Sequence, residues 1–217
     1  MAFWSDIDEE YVSRYRDWHS TEHIPERVGI RGFLTGQRYE RIHAVRRFFM
    51  FYDTQNVGVL SGPDYVDALN SPTPWTREAL THFRNPLRNV YEEMGESNKA
   101  PADASPFVTS IRFNLAADAG RPSVAMIEDA DDGYRARQSR LRLFEVDETG
   151  TGMKTSERAI YGTQKRAPAY LFLLDSEAEL ESIRVERLER HLASVGLEDI
   201  ELEQYRLEFG MRSSSPR

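Results

Sequence analysis

The residues best suited to chemistry lie together in residues 18–39, which read WHSTEHIPERVGIRGFLTGQRY. His23 falls where a predicted helix gives way to a loop, opposite the start of a predicted strand. A neutral imidazole in such a place can act as a general acid or base near pH 7. Either nearby carboxylate, Glu22 or Glu26, is placed to orient the ring. His23 is therefore the first candidate for a catalytic residue.

Cationic and phenolic side chains in the same stretch are suited to holding a substrate. Arg27 or Arg38 can stabilise an anionic or enolate oxygen, and Tyr39 offers a phenol on the following strand. The stretch predicts Arg38 and Tyr39 as further catalytic residues and Arg27 as a substrate-binding residue. A structural interpretation stays open, in which the stretch ties a helix end to a strand. His23 would then bond to backbone, and Arg27 would pair with a glutamate.

The space between the helices and the sheet is expected to form a pocket around His23. Three further side chains are predicted to line it, namely Trp18 on the first helix and Trp75 and His82 on the second. A place in the core is the alternative for Trp75, and a surface position at the helix end is the alternative for His82.

A metal or cofactor site has little support in the sequence. His19 and His23 are four residues apart, a spacing that suits a metal on a helix face. However, Pro25 should distort the second position, and no further His, Cys or Asp cluster offers a third ligand. Gly-rich phosphate loops and a G-x-S-x-G elbow are also absent. We therefore predict no metal site and a function that needs no cofactor.

Composition and charge narrow the class of protein. A formal net charge of −8 opposes a large phosphate-binding face, so nucleic acid is not expected as a partner. No apolar run approaches the roughly 18 residues of a membrane span. The first ten residues, MAFWSDIDEE, lack the basic and apolar regions of an export signal. The absence of cysteine fits a reducing compartment. We expect a cytoplasmic protein without membrane contact.

The chain divides at a Pro-, Ser- and Ala-rich stretch, GESNKAPADASP, over residues 95–106. In the first half, apolar spacing predicts a β-α-β-β-α-β order. Its elements are a strand over 2–5, a helix from residue 6 or 8, strands over 33–42 and 47–54, a helix over 62–83 broken by Pro72 and Pro74, and a strand over 87–94. Because Pro25 disfavours helical geometry at Ile24, the first helix should end near residue 22 or 23.

The second half repeats the order of elements without repeating the sequence. The predicted elements are a strand over 107–115, a weak helix over 122–138, a strand over 140–146, a polar connection over 147–167, a strand over 168–175, a helix capped by Ser176 and ended by Gly196, and a strand over 200–209. We therefore predict two ferredoxin-like halves, 1–95 and 107–211, with a linker over 96–106 and a flexible tail over 212–217.

Burial predicts how the two halves associate. The central strand of the first half is apolar on both alternating sets, with Phe48, Met50 and Tyr52 on one face and Phe49 and Phe51 on the other. Such a strand needs cover on both faces. The helices cover one face, and the sheet of the other half is available for the second. The fold class is thus α+β, with the two halves pairing into an intramolecular barrel.

Part of the first half resembles a known superfamily. The run Glu22-His23-Ile24-Pro25-Glu26-Arg27 after Trp18, then Gly32-Phe33 and Arg38-Tyr39, resembles the dimeric α+β barrel superfamily, and the EthD-like and related duplicated proteins in particular. Residues 71–76, SPTPWT, are similar to a signature of the longer, duplicated members. The resemblance covers most of residues 1–95 and implies the barrel fold. The superfamily includes lyases, isomerases, polyketide cyclases, cofactor-free monooxygenases and haem enzymes.

Three functional hypotheses follow from these residues and from the resemblance. The first is a cofactor-free lyase, isomerase or cyclase that transfers a proton on a small, mostly apolar carbonyl or phenolic compound. The second is a non-catalytic small-molecule binding or stress-related protein on the same barrel. The third, which the resemblance alone suggests, is a haem-binding protein. Because residues 134–143 of the second half contain no counterpart of the His23 motif, that half is expected to be a scaffold. A homodimer through exposed strand edges or helices stays open.

Overall fold

The computed structural model describes residues 1–97, 105–129, 140–162 and 167–214. The strands, in chain order, are β1 (Ala2–Ile7), β2 (Phe33–His43), β3 (Phe48–Thr54), β4 (Phe83–Asn89), β5 (Tyr91–Ser97), β6 (Phe107–Leu115), β7 (Arg140–Val146), β8 (Tyr170–Ser176) and β9 (Leu197–Arg212). The predicted strands are confirmed with one difference. The fourth strand, expected over 87–94, is divided at Val90 into β4 and β5.

The helices of the described residues are short except for the last. They are α1 (Val12–Trp18), α2 (Ile24–Gly29), α3 (Pro63–Asn70), α4 (Pro74–Leu80), α5 (Ala125–Glu128), α6 (Glu148–Gly152), α7 (Ser156–Tyr161) and α8 (Ser182–Ser194). The break predicted at Pro72 and Pro74 is confirmed as the gap between α3 and α4. Within the described part of the chain, no helix has the length and apolar character to cross a membrane.

The first helical run continues past Pro25, so the prediction that it ends near residue 22 or 23 is wrong. A π-helical turn, His19–His23, joins α1 to α2. Pro25 then occupies the first turn of α2, where an N–H is not needed for helix bonding. A proline ring also clashes with the carbonyl four residues earlier. Here that residue is Thr21, which lies inside the π-helical turn and not in a regular α-helix.

The second half differs from the predictions in its helices. The helix expected over 122–138 is described only as α5, and residues 130–138 lie outside the described ranges. Ser176 does not cap the last helix; it ends β8, and its Oγ donates a hydrogen bond to the carbonyl of Ala178 at 2.8 Å. The N-cap residue of α8 is Glu181, and five residues, 177–181, separate the end of β8 from the start of this helix. Gly196 follows α8 with a φ of 89°, as the C-terminal signal predicts.

The division of the chain into domains remains a prediction. Residues 98–104 of the expected linker and residues 215–217 of the expected tail lie outside the described ranges. The connection over 147–167, expected to be a polar loop, contains α6 and α7, and its residues 163–166 are likewise not described.

The strands of both halves form one antiparallel sheet in the order β4-β1-β3-β2-β9-β6-β8-β7-β5. Each half thus places its fourth, first, third and second strands side by side, which is the ferredoxin-like order. The halves meet where β2 pairs with β9 and where β5 pairs with β7. Because β4 and β5 are separated only by Val90, the two ends of the sheet are joined through the chain. The sheet is therefore closed into the predicted α+β barrel.

The two-sided strand β3 separates two cores. Phe48, Met50 and Tyr52 pack on the helix-facing side. Phe49 and Phe51 face the barrel interior, where apolar residues of both halves meet. The prediction that the second sheet covers this face is confirmed.

A buried ion-pair group also joins the two halves inside the barrel. Arg142 of β7 donates from Nη1 to Asp53 Oδ1 at 2.8 Å and from Nη2 to Asp175 Oδ2 at 3.4 Å. Its guanidinium carbon lies 5.0 Å from the ring centroid of Phe51. Arg142 is buried, so its charge is balanced by two carboxylates, one from each half.

Phe49→Ala should lower the free energy of unfolding by about 3–5 kcal/mol, because it removes a fully buried ring and leaves a cavity. The Phe49 ring stacks on Trp4 and Tyr39 of the first half, and it contacts Tyr205 of the second with 5.4 Å between centroids. Urea unfolding measures the loss. Val45→Ala, at a side chain 76% exposed, is the control and should change the value by no more than about 0.5 kcal/mol. A loss below about 1 kcal/mol for Phe49→Ala would contradict a shared, closed interior.

Candidate functional site

A small cavity lies between the helices and the helix-facing side of the first-half sheet. Its volume is about 50 Å³, more than the roughly 15 Å³ that one water molecule requires. Much of its wall is apolar, including Phe3, Leu80 and Phe83. The polar side chains of the wall come from both halves: Trp18, His19, His23, Arg27, Tyr52, Tyr65 and Arg88 from the first, and Thr155, Glu157, Arg158 and Tyr161 from the second. The expected scaffold half thus supplies part of the wall.

The π-helical turn brings two imidazoles to the cavity. π turns are rare and occur frequently at functional sites. Here the rings of His19 and His23 stack at 5.4 Å between centroids, and the His23 ring also lies 4.5 Å from that of Trp18. Helix α2, which follows the turn, lies close to the sheet where β2 carries Gly36. A Cβ at this glycine would lie 3.0 Å from Cγ2 of Val28 and 3.1 Å from Cγ2 of Ile24.

His19 is buried, and its hydrogen bonds determine its tautomer. Arg38 donates from Nη1 toward His19 Nδ1 at 3.4 Å, and His19 Nε2 lies 3.3 Å from the Tyr52 hydroxyl. Because an arginine can only donate, Nδ1 accepts, and the neutral ring carries its hydrogen on Nε2. His19 therefore donates to the Tyr52 oxygen. The Tyr52 O–H is left to donate into the cavity that it lines.

His23 is partly buried, but its Nδ1 is fully buried and has no hydrogen-bond partner among the described residues. Buried polar atoms without partners are uncommon in native structures. The alternative that His23 is bonded to backbone is not supported at this atom. Neither predicted orienting carboxylate contacts it. Glu22 accepts hydrogen bonds from the Thr73 and Thr76 hydroxyls at 2.5 and 3.1 Å, and Glu26 approaches Arg27.

Both imidazoles are held in the neutral form. Burial lowers the pKa of His19 well below its ordinary value of 6.5, and the positive charges of Arg38 and Arg27 lower it further. Burial also lowers the pKa of His23 well below that value, with Arg27 and His19 as further causes. Burial raises the pKa of the Tyr52 phenol well above 10. At neutral pH the cavity therefore presents neutral imidazoles and a protonated phenol.

Arg27 forms a buried ion pair with the second half. Its Nη2 donates to Oε1 of Glu157, and both side chains are nearly inaccessible. Its guanidinium carbon lies 5.7 Å from the ring centroid of Tyr65. Burial raises the pKa of Glu157, and the attraction of Arg27 opposes that rise. The structural interpretation in which Arg27 pairs with a glutamate thus describes one of its contacts, although Arg27 also lines the cavity.

The segment of the second half that contains α6 and α7 is held beside the cavity by hydrogen bonds within the segment and by a hydrogen bond with Val90, which lies between β4 and β5. Thr155 caps α7 by accepting a hydrogen bond from Arg158 N at 3.3 Å. Thr151 accepts from Val90 N at 2.8 Å. Arg158 donates from Nη1 to the carbonyls of Thr151 and Met153. These bonds fix α7, and with it Glu157, against the first half.

The structure brings His23, Arg27 and Trp18 together at the cavity but places the other predicted residues elsewhere. Arg38 lies beneath His19 and donates to Glu208 at 2.9 Å, so it contacts the cavity through His19. Tyr39 faces the opposite side of the sheet, in the barrel interior.

The two remaining predicted residues do not line the cavity. Trp75 packs against the helix-side core and lies under Arg14, whose guanidinium carbon is 5.4 Å from the ring centroid. His82 stacks on Tyr11 at 3.8 Å and bonds through Nδ1 to Asp8 at 3.0 Å. These contacts agree with the core and surface alternatives for the two residues.

The sequence analysis missed Tyr52, Arg88 and Glu157 as cavity residues. Arg88 carried a usable signal, because it is a charged residue between the apolar Leu87 and Val90 in the predicted strand over 87–94. Glu157 carried none, because it lies in a stretch that resembles a polar loop.

The pH dependence of the two imidazoles provides a first test. We expect the NMR signals of His19 and His23 to show neutral rings at pH 5.5, where a histidine in a model peptide is protonated. Because the unfolded chain takes up protons near pH 6.5 and the folded chain does not, their contribution to stability is lost as the pH falls below about 6.5. Titration of either ring near 6.5 in the folded protein would contradict the burial described.

Glu157→Gln should lower the free energy of unfolding by about 3–5 kcal/mol, because it leaves Arg27 charged and buried without its carboxylate. Glu78→Gln, which breaks the exposed pair between Arg14 and Glu78, is the matched control and should have little effect. Urea unfolding measures both. The double variant Arg27→Met, Glu157→Leu should recover most of the loss, and equal effects of Glu157→Gln and Glu78→Gln would contradict the buried pair.

Known proteins were compared with the chain in sequence and in structure. No protein-family model matches it, and no curated protein matches its sequence. Among solved structures, it is similar over 99% of its length to an anthrone oxidase-like protein, at 6% identity, a TM-score of 0.56 and 92% coverage of that chain. A candidate monooxygenase from Fusobacterium nucleatum subsp. nucleatum is similar at 5% identity with a TM-score of 0.56, over 99% of this chain and 94% of that one.

A candidate chlorite dismutase is similar over 96% of this chain and 93% of that chain, at 12% identity and a TM-score of 0.52. At such identities the likeness concerns the fold alone. The narrower EthD-like resemblance stays a prediction. The comparisons thus establish that this chain has a ferredoxin-like α+β fold over nearly its whole length.

Proposed function

We propose that the protein is a cofactor-free enzyme that transfers a proton on a small carbonyl or phenolic compound bound beside His23. The observation that carries the proposal is the buried Nδ1 of His23, which has no partner among the described residues and belongs to a side chain that lines the cavity. A ligand group or an ordered water in the cavity would supply that partner.

The chemistry assigned to these residues is a single proton transfer and its return. His23, neutral at pH 7, would accept a proton from the substrate through Nδ1. The electron pair left behind would spread onto the substrate oxygen as an enolate or phenolate. The Tyr52 O–H and the Arg27 guanidinium are placed on the wall to stabilise that charge. The proton would then return from His23 to the product, so no oxidant or cofactor takes part.

The names of structural neighbours are compatible with a substrate of this class. One is an anthrone oxidase-like protein, and anthrone is an aromatic ketone whose acidic hydrogens lie on the ring carbon opposite its carbonyl, conjugated with it through the two arene rings. Removal of such a proton is a first step shared by lyases, isomerases and cyclases. The cavity of about 50 Å³ accepts only part of a ring compound, so neighbouring side chains would move when one binds.

A non-catalytic binding protein is the second candidate, and one observation favours it. The lowered pKa of His23 makes its ring a weaker base than a histidine tuned close to pH 7.

Haem, the third hypothesis, does not fit the described site. A haem macrocycle is far larger than the cavity, and both ring nitrogens of His19 are already engaged.

His23→Ala tests the enzymatic proposal. The assay is exchange of the α-hydrogens of small ketones, such as 2-indanone, with D2O in the presence of the protein, followed by NMR. The wild type should accelerate exchange, and His23→Ala should lower the protein-dependent rate by about 10²–10⁴ with an unchanged melting temperature.

His43→Ala is the control, because that imidazole is exposed, lies against Glu179 and does not line the cavity. It should leave the rate unchanged. Ketone binding without acceleration by the wild type would overturn the enzymatic proposal in favour of the binding protein. Equal rates for the wild type and His23→Ala would remove His23 from the reaction.

A further inference from the structure

We propose that the ligand of this cavity is a small organic anion, with a carboxylate as the simplest case, held by Arg88 and Arg27. The inference rests on the proposed function in that it uses the same cavity, and it adds the charge of the compound that binds there. Arg88 lies on β4 and faces the helices, one residue from Leu87, which faces the barrel interior.

The charges on the cavity wall do not balance. Three guanidinium groups line it, those of Arg27, Arg88 and Arg158, together with the single carboxylate of Glu157. Glu157 is already paired with Arg27. Positive charge on the wall therefore exceeds negative charge by two, and enclosed positive charge attracts an anion.

The hydrogen bonds of Arg88 within the described residues go to neutral groups. Its side chain is only 6% exposed. Nη1 donates to the carbonyl of Gly150 at 3.3 Å, and Nη2 lies 3.5 Å from the Tyr65 hydroxyl. Both are long contacts to neutral groups. Within the described ranges, no carboxylate oxygen forms an ion pair with this guanidinium.

Arg27 adds a free donor to the same wall. The residue is only 1% exposed. Its Nη1 is buried and has no hydrogen-bond partner in the described part of the chain. A carboxylate oxygen of Glu26 lies 3.6 Å from Nη1, within ion-pair range but beyond hydrogen-bond distance. A ligand oxygen in the cavity would give this N–H group an acceptor.

Other buried arginines of the same chain have what Arg88 lacks. Inside the barrel, Arg112 pairs with Glu203 at 2.6 Å and with Glu201 at 2.7 Å. Arg142 likewise has two carboxylate partners. The fold thus neutralises its interior arginines with its own acids, because a buried charge is costly when unpaired. Arg88 is the exception among these three, and it is the one that lines a cavity.

Equilibrium binding of matched anionic and neutral probes tests the proposal. Benzoate and benzamide have nearly the same shape, and acetate and acetamide form a smaller pair. Calorimetry or ligand-observed NMR should show that the wild type binds each carboxylate at least about tenfold more tightly than its amide, a difference of about 1.4 kcal/mol. Arg88→Met should bring the two affinities together, whereas Arg88→Lys should retain part of the preference.

Arg14→Met, which removes an exposed arginine that does not line the cavity, is the matched control and should keep the full preference. Equal affinities for carboxylate and amide in the wild type would overturn the proposal even if Arg88→Met failed to fold. A preference that persists in a folded Arg88→Met would overturn the role of Arg88.

The measurement also separates this proposal from the enzymatic one. His23→Ala keeps Arg88 and Arg27, so it should retain the carboxylate preference even when it no longer exchanges ketone hydrogens. If the wild type exchanges the hydrogens of neutral ketones but shows no preference for carboxylates, the anion proposal fails and the enzymatic proposal stands. If the wild type prefers carboxylates but does not exchange ketone hydrogens, the anion proposal stands and the enzymatic proposal fails.

Discussion

The structure depends on the need of β3 to be buried on both faces. Its alternate side chains are large and apolar on each side, and Phe48 and Phe49 are both inaccessible. One face packs under the helices, and the other requires a second sheet. The closure of the sheet through β2–β9 and β5–β7 pairing follows from this requirement. The cavity lies on the helix-facing side of β3, between the sheet and the helices.

The buried pair of Arg27 and Glu157 then links the cavity to the whole chain. A pair of this kind gains little net stability, because removing both charges from water offsets their attraction. The pair matters more for the geometry of the site than for the stability of the fold. It fixes a segment of the second half against a helix of the first, so the wall of the cavity is complete only when both halves are folded. The two halves are therefore one unit at the site as well as in the barrel.

Patterns along the chain predicted the layers well and the site only in part. The spacing of apolar residues identified β3 and β6 as strands, because it can be read from each segment by itself. The helix end at Pro25 was predicted wrongly, since the π turn that accommodates the proline has no sequence signature of its own.

The site residues show the same limit. Residues 18–27 could be recognised as one group because they are contiguous. Tyr39 was predicted at the site and Tyr52 was not, because the sheet face that each tyrosine occupies depends on the register of its strand. Glu157 lies 130 residues from Arg27 in the chain and contacts it only through tertiary packing. Contacts at such a separation cannot be read from local pattern.

The second half provides an internal comparison that bears on function. Counted from the start of each strand, Tyr52 of β3 corresponds to Leu174 of β8, and Met50 corresponds to Phe172. The helix-facing core of the second half is built from apolar side chains, with Gln204 buried beside Leu180, whose backbone it hydrogen-bonds.

Among the described residues, that layer of the second half contains no buried imidazole, phenol or guanidinium group. In the first half these groups occupy the corresponding layer at a cost in desolvation that the architecture does not require. Strained or unsatisfied groups that a fold could avoid are expected at functional sites. That contrast between the two halves is the strongest structural reason to regard the cavity beside His23 as a binding site rather than a packing defect.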